Sequence, residues 1–318
     1  MGGNGQQRYA IGVDVGGTKT LLLAADRDGR IAATRKMPTA LSSGPESFMA
    51  SLRQSMAELL QANSIDMGAI IGAGIGLPCF YNDERGTVSG SPALHWPNAD
   101  IRPMLQRLFP FPVQVDNDVN MAAWGELEAG AAQGARHALI VTVGTGVGSA
   151  MILDGQVYRG ADGFAGEIGY FVLIDADADA DAVAMQHPDA FGSMESIASG
   201  TGIGEAAGPR YGDASALLAA AEQGDAAAQA IAARPIRYIS AAIANAVSLL
   251  NPELVVLGGG VACGSAYYCK EVERQVAALT PIRTRFAVSP LGNAAGAIGG
   301  AAVAWRRNDT GGRQEERI

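Results

Sequence analysis

Charge is scarce in this chain. Only 17% of its 318 residues are Asp, Glu, Lys or Arg, and the formal net charge is −9. An acidic chain without a basic stripe is not built as a general nucleic-acid binder, although it can still hold ATP through local backbone donors and Mg2+. Cysteine is rarer still: Cys79, Cys263 and Cys269 are too few and too irregularly spaced for a disulfide framework, which points to a reducing cytoplasm. No apolar run is long enough for a membrane span, because Gly, Asn or a charge interrupts each one. The opening MGGNGQQR lacks the apolar centre of a secretory signal and reads as a frayed tail. What is abundant is apolar side chain, 48% of residues, together with 42 glycines. A soluble chain of this length has room for two cores.

One phrase occurs twice. Residues 11–31 read IGVDVGGTKTLLLAADRDGRI and residues 140–157 read IVTVGTGVGSAMILDGQV. In each, an apolar strand enters a glycine turn, a second strand follows, and an Asp-Gly pair closes the unit. A strand–turn–strand unit repeated about 130 residues apart implies two similar halves. Glycine lets backbone N–H groups approach oxygens closely, so two such turns can grip a polyphosphate from both sides. That points to a phosphotransferase.

The remaining pattern is α/β. Strands are expected at 9–15, 20–26 and 30–37, and a helix over 46–62, where Phe48, Leu52, Met56 and Leu59 recur at helical spacing. A buried strand follows at 70–76. The Pro-, Gly- and Asn-rich stretch 77–112 is expected to be mostly irregular. A short strand at 113–116 runs into a helix opened by Asn117-Asp118-Val119-Asn120, and the second meander covers 137–160. Residues 175–190 are low-complexity and acidic, a solvated loop rather than a metal site. A long Ala-rich helix at 226–250, a strand ending in Gly258-Gly259-Gly260, a helix near 265–278, a strand near 282–288 and a helix from about 294 complete the series. The last helix is expected to return to the first domain. That gives domains of 1–117 plus about 297–318, and 118–296.

Several positions are equipped for chemistry. Asp14 closes the first strand, where a carboxylate can orient the water shell of Mg2+, and Gly16, Gly17, Thr18 and Lys19 follow with amides, a hydroxyl and an ammonium. Thr145 and Gly146 occupy the uncharged second turn. Taken alone, either turn is more often just a hairpin; the two together are more telling than either. Asp118, at a strand-to-helix junction, can take a proton from a hydroxyl that Asn117 fixes, or the pair can simply cap the helix. Glu167, between Gly166 and Ile168-Gly169-Tyr170, suits a carboxylate aimed at a ligand in tight quarters. Glu195 starts an apolar helix, which its charge alone would favour. Gly258, Gly259 and Gly260 can receive a flat base or ribose, or merely turn strand into helix.

In order, these pieces resemble the ROK family of sugar kinases and regulators over nearly the whole chain. VDVGGTKT resembles the first phosphate loop, NDVN the catalytic segment and GTGVG the second phosphate loop. AGEIGY resembles the GE-x-GH element, ESIASG the sugar-binding Glu element and NPELVVLGGGV the adenosine element. The resemblance implies two RNase H-like domains of actin/hexokinase type with a cleft between them, closing on Mg2+, ATP and a sugar in a cytoplasmic homodimer, as relatives often form. It makes Asp118 the base that takes the proton of the attacking hydroxyl, usually the 6-OH. Asn117, Glu167, Tyr170 and Glu195 then hold the sugar, while the two turns and Gly258–Gly260 hold the nucleotide.

The departures are specific. The family commonly carries a cysteine-rich zinc knuckle after GE-x-GH; here no cysteine stands there, Tyr170 replaces the His, and His187 alone cannot build the site, so no zinc is expected. Cys79 stands where Gly is usual and Ala93 where Asn is frequent. All three changes fall around the acceptor, so an amino sugar, an N-acetylhexosamine or a cyclitol stands beside glucose as the substrate class. The family's regulators place a DNA-binding winged helix before the first phosphate loop, and here Asp14 follows Met1 too closely for one. A sugar-sensing protein without catalysis is the remaining reading from another class. Intact Asp14, Lys19 and Asp118 argue against it.

Overall fold

The computed structural model describes residues 7–40, 44–89, 96, 99–172 and 193–310. The expectations for Ala93, His187 and the acidic stretch 175–190 lie outside those residues. The chain divides into two compact units: Met1–Gln133 with Arg159–Phe164 and Ala294–Ile318, and Gly134–Tyr158 with Ala165–Asn293.

In the first unit, strands β1 (Tyr9–Val15), β2 (Lys19–Ala25) and β3 (Ile31–Pro38) form the antiparallel meander. β4 (Ile70–Leu77) pairs parallel with β1, and β8 (Val113–Asn117) parallel with β4, giving the order β3-β2-β1-β4-β8. Side chains of β1 alternate between two layers, as a strand's period of two requires. Ile11, Val13 and Val15 join one core with helix α1 (Pro45–Ala62), and Ala10 joins another with helix α10 (Ala295–Thr310). Pro45 starts α1 at a position that needs no N–H. Phe48, Leu52, Met56 and Leu59 are all buried, each worth about 1.5–3 kcal/mol against exposure.

On the opposite face, α10 approaches the sheet and helix α3 (Asp118–Ala129) closely because glycines line the contact. A Cβ on Gly12 would stand 1.7 Å from the Ala297 carbonyl oxygen, and one on Gly299 1.7 Å from that of Met121. This packing places α3 in the first unit, so the division falls after Gln133 rather than after residue 117.

The stretch 77–112 is more regular than its composition implied. It contains a small sheet of β5 (Phe80–Asn82), β6 (Thr87–Ser89) and β7 (Ala99–Asp100), followed by α2 (Arg102–Leu108). Its strands are two or three residues long, too short for alternation to be visible through the turn residues.

The second unit repeats the first. β9 (Ala138–Val143), β10 (Val147–Leu153) and β11 (Gln156–Tyr158) form a meander, and β12 (Leu254–Gly258) and β13 (Arg285–Val288) add parallel strands in the order β11-β10-β9-β12-β13. β13 is shorter than the expected 282–288. Asp154 and Gly155 both have positive φ, 52° and 73°, the backbone that a two-residue hairpin turn demands. Helices α4 (Ser193–Ala198), α5 (Gly200–Tyr211) and α6 (Ala214–Glu222) precede α7 (Ala226–Leu250), whose N-cap Asp225 accepts from the Ala227 and Ala228 amides. α8 (Gly259–Gly264) and α9 (Ala266–Leu279) connect β12 to β13. Two units of the same strand order are the two similar halves expected from the repeated phrase, and together they are the actin/hexokinase-type α/β fold that the family resemblance implied.

Candidate active site

The first glycine turn lies between β1 and β2. Gly16 N donates to the Lys19 carbonyl at 3.1 Å, a tight turn that leaves Gly17, Thr18 and Lys19 exposed. Asp14 points the other way, toward the start of α10: a Cβ on Gly296 would come within 2.8 Å of its carboxylate. Burial raises the Asp14 pKa to about 6. Among the described residues it has no hydrogen-bond or ion-pair partner. A half-buried carboxylate without a partner suits a hydrated cation.

At the same end of the sheet, where Asp14, Gly76 and Asp116 stand in register across the parallel strands, β8 delivers Asp116 and Asn117 to the start of α3. Asn117 Oδ1 accepts from Val119 N at 2.8 Å and Asn120 N at 3.2 Å, and its Nδ2 donates to the Cys79 carbonyl at 3.2 Å. The helix cap is therefore realised, and Asn117 makes it. Asp118, the first helical residue, accepts from Val119 N through Oδ1 at 2.9 Å. The Cys79 thiol is held protonated by burial, with Asp118 and Asp116 adding to the shift. Sequence reasoning missed Asp116 and Arg159. Asp116 is buried and receives Arg159 Nε at 2.7 Å. The available signal was the polar pair Asp116-Asn117 closing the strand, since a buried Asp needs a cation.

In the second unit, Glu195 lies in the first turn of α4 and accepts from Val147 N, at the exit of the second glycine turn, at 2.9 Å. Gly146 makes room: a Cβ there would stand 2.2 Å from Glu195 Oε1. Burial, then the Glu195 charge, raises the Glu167 pKa to about 7. Burial raises Glu195 as well, opposed by the Val147 hydrogen bond. Tyr170, 38% exposed, is raised by burial and by both glutamates. These three predicted residues thus form one group around two carboxylates.

A cavity of about 530 Å³ opens in the same unit. Gly144 and Thr145 contribute from the second turn, and Gly260 from the start of α8. Gly258 and Gly259 instead make the strand-to-helix turn behind it, with Gly259 at φ 82°. The rest of the wall was not anticipated: Gly200 and Thr201 open α5, Ala214 and Ser215 open α6, and Ser265 caps α9. Ser199 and Asp213 cap α5 and α6 through the Gly202 and Ala216 amides, and the partial positive charge of the two helix starts is favourable to anions. Among the described residues, no Lys or Arg lines the cavity. The signal was a run of Gly, Ser and Thr at successive helix starts. Thr201 Oγ1 donates to the Thr145 carbonyl at 2.8 Å and Gly200 N to that of Gly144 at 2.7 Å, fixing the turn to α5.

Among the described residues, no group of three or more His, Cys, Asp and Glu side chains is placed to hold a metal ion. None of the described helices is long and apolar enough to cross a membrane.

Repeated α/β units, each with a glycine turn between its first two strands, define the fold, while the activity has to be read from the site. The ROK family model matches residues 10–307, and the chain belongs to the ROK family. It is 31% identical over 314 residues to a glucokinase of Halalkalibacterium halodurans, covering 92% of this chain and 94% of that protein. The structure is similar, at a TM-score of 0.77 and 27% identity, to a ROK family glucokinase from Streptomyces griseus solved with glucose and AMPPNP, covering 94% of this chain and 99% of that one. A ROK family transcriptional regulator shares the fold at a TM-score of 0.81 and 22% identity, covering 96% of this chain and 79% of the regulator.

Proposed function

We propose that this protein is an ATP-dependent sugar kinase that phosphorylates a hydroxyl, most simply the 6-OH, of a hexose or a close relative. Asp118 accepts the proton of the attacking hydroxyl. The hydroxyl oxygen forms a bond to the γ-phosphorus as the bond from that phosphorus to the β-bridging oxygen breaks, and ADP leaves. In such a transfer the protein chiefly positions reactants and offsets charge. Asn117 uses its side-chain oxygen as the α3 cap and one Nδ2 hydrogen on the Cys79 carbonyl, so its contribution to the acceptor is through the second Nδ2 hydrogen. Glu167 and Glu195 accept hydrogen bonds from neighbouring hydroxyls, a role suited to paired carboxylates. Tyr170 donates from beside them.

The cavity in the second unit takes the nucleotide, with Thr145, Gly146 and Gly260 near phosphate and ribose and the α5 and α6 starts supplying neutral donors. Gly16, Gly17, Thr18 and Lys19 supply further phosphate contacts. Asp14 would hold Mg2+ through water, and the ion, when bound, neutralises charge developing on the phosphates. The three scattered cysteines agree with a cytoplasmic enzyme, and the family resemblance extends the reading to a homodimer.

The observation that carries this reading is the division of labour at the start of α3. Asn117 already caps the helix, so the Asp118 carboxylate is not required to hold it. Tyr170 in place of His supports an acceptor other than glucose, such as an amino sugar, N-acetylhexosamine or cyclitol. A coupled ADP-release assay over such a panel, with glucose included, tests the function. Acceptor-dependent ADP release supports it; ligand binding without ADP release from any acceptor would replace it with a sugar-sensing role.

A further inference from the structure

Asp116, two residues before the proposed base, has no role in the chemistry above, yet its carboxylate is only 3% exposed and fully engaged. Oδ1 accepts from Asn117 N at 2.8 Å and from Asn120 Nδ2 at 2.9 Å. Oδ2 accepts from Arg159 Nε at 2.7 Å and Nη2 at 2.6 Å. A planar guanidinium gripping one oxygen through two N–H groups fixes the carboxylate in a way an ammonium cannot. The residues held by the other oxygen, Asn117 and Asn120, bracket Asp118 in the first turn of α3.

Arg159 is itself anchored. It opens a six-residue strap, Arg159–Phe164, that belongs to the first unit although its neighbours in sequence belong to the second. Asn82 Nδ2 donates to Asp162 Oδ1 at 3.2 Å. Gly163, at φ 85°, passes so close to Tyr81 that a Cβ would stand 2.2 Å from its carbonyl oxygen. Phe164 stacks on Phe80 with centroids 4.1 Å apart. The strap leads directly into Ala165-Gly166-Glu167, the element proposed to bind the acceptor.

We propose that Arg159 is a positioning residue for the base. Through Asp116 it locks the first turn of α3, and with it the direction of the Asp118 carboxylate. This inference rests on the reading of Asp118 as base. In this role Arg159 touches neither acceptor nor nucleotide, so its loss acts on turnover rather than on nucleotide affinity.

The alternative is that the guanidinium merely neutralises a buried charge, and a small variant set separates the two. Arg159→Met, Arg159→Lys and the double variant Arg159→Met/Asp116→Asn are compared with wild type. The readings are kcat and KM with Mg-ATP and D-glucose, or with whichever panel hexose the wild type turns over fastest. Thermal midpoint and amide exchange across residues 117–121 are measured alongside. Arg159→Met is expected to lower kcat at least about tenfold with KM for ATP changed less than about twofold. Arg159→Lys recovers part of that loss. The double variant regains the thermal midpoint, because the unpaired buried charge is gone, but neither kcat nor slow exchange at 117–121.

Wild-type kcat and exchange in Arg159→Met, or full recovery of kcat in the double variant, would overturn the proposal. Should Arg159→Met fail to fold, the Lys and double variants decide it by the same readings. Asp118→Asn is assayed in parallel. If that variant keeps its turnover the base assignment fails, while the exchange data still decide whether Arg159 orders the first turn of α3.

Discussion

The two units share a strand order but hold their carboxylates differently. In the first, the buried Asp116 is fully satisfied by Arg159, by the Asn117 amide and by the Asn120 side chain. In the second, Glu167 and Glu195 sit together, one backbone amide donates to Glu195, and burial raises the proton affinity of both. Likewise the turn after β1 carries Asp14 and Lys19, whereas the turn after β9 carries no charge. The same scaffold was therefore fitted with chemistry on its loops, which is where function on a shared fold resides. A satisfied carboxylate holds geometry. An unsatisfied one awaits a ligand.

The largest effect should come from Asp118→Asn. That variant is expected to fold with an unchanged thermal midpoint, because Asn117 makes the cap, and to lose about 10³-fold or more in kcat. Near-normal turnover would remove Asp118 from its role. Overfilling the glycine contact of the first unit should act on stability instead. Gly299→Ala is expected to cost about 1–3 kcal/mol in denaturant titration, with little change in KM for the acceptor in the fraction that remains folded.

Glu167 sharpens the comparison through pH. Its pKa is 4.5 when unfolded and about 7 when folded. The burial penalty is thus absent below the unfolded value, grows as pH rises through that window and is complete above it. Glu167→Gln should therefore raise the thermal midpoint of the free protein at pH 8 and leave it nearly unchanged at pH 4.5. The acceptor responds in the opposite sense, because its hydroxyls donate to the ionised form. KM for the acceptor should fall as pH rises through about 7, and Glu167→Gln should raise KM about tenfold at pH 8. A KM independent of both pH and this substitution would detach Glu167 from the acceptor. The smallest effect is expected at Tyr170→His, which should change the ratio of kcat/KM between two acceptors several-fold, on the order of 10, while leaving KM for ATP unchanged. Movement in ATP kinetics alone would misplace Tyr170.

Much of the scaffold was legible because the repeat and the apolar spacing are written in contiguous sequence: the meanders, the α1 periodicity and the Asp225-capped α7. The stretch 77–112 was not, since strands of two or three residues give no period to read. The domain boundary was missed for another reason. Helix α3 follows Asn117 in sequence, but its place is set by Gly299 and Ala295 on α10, far along the chain. At the site, glycine turns and isolated carboxylates stood out, whereas Asp116, Arg159 and the Ser/Thr helix starts lining the cavity acquire meaning only when folding brings them together.

The central claim is transfer of a phosphoryl group from ATP to a sugar hydroxyl. Phosphorus NMR of a reaction containing the protein, Mg-ATP and the acceptor panel tests it most directly. The account predicts a phosphate-monoester resonance that grows in step with ADP, requires an acceptor and vanishes with Asp118→Asn. ATP left intact beside every acceptor, or ADP formed only with inorganic phosphate, would contradict it.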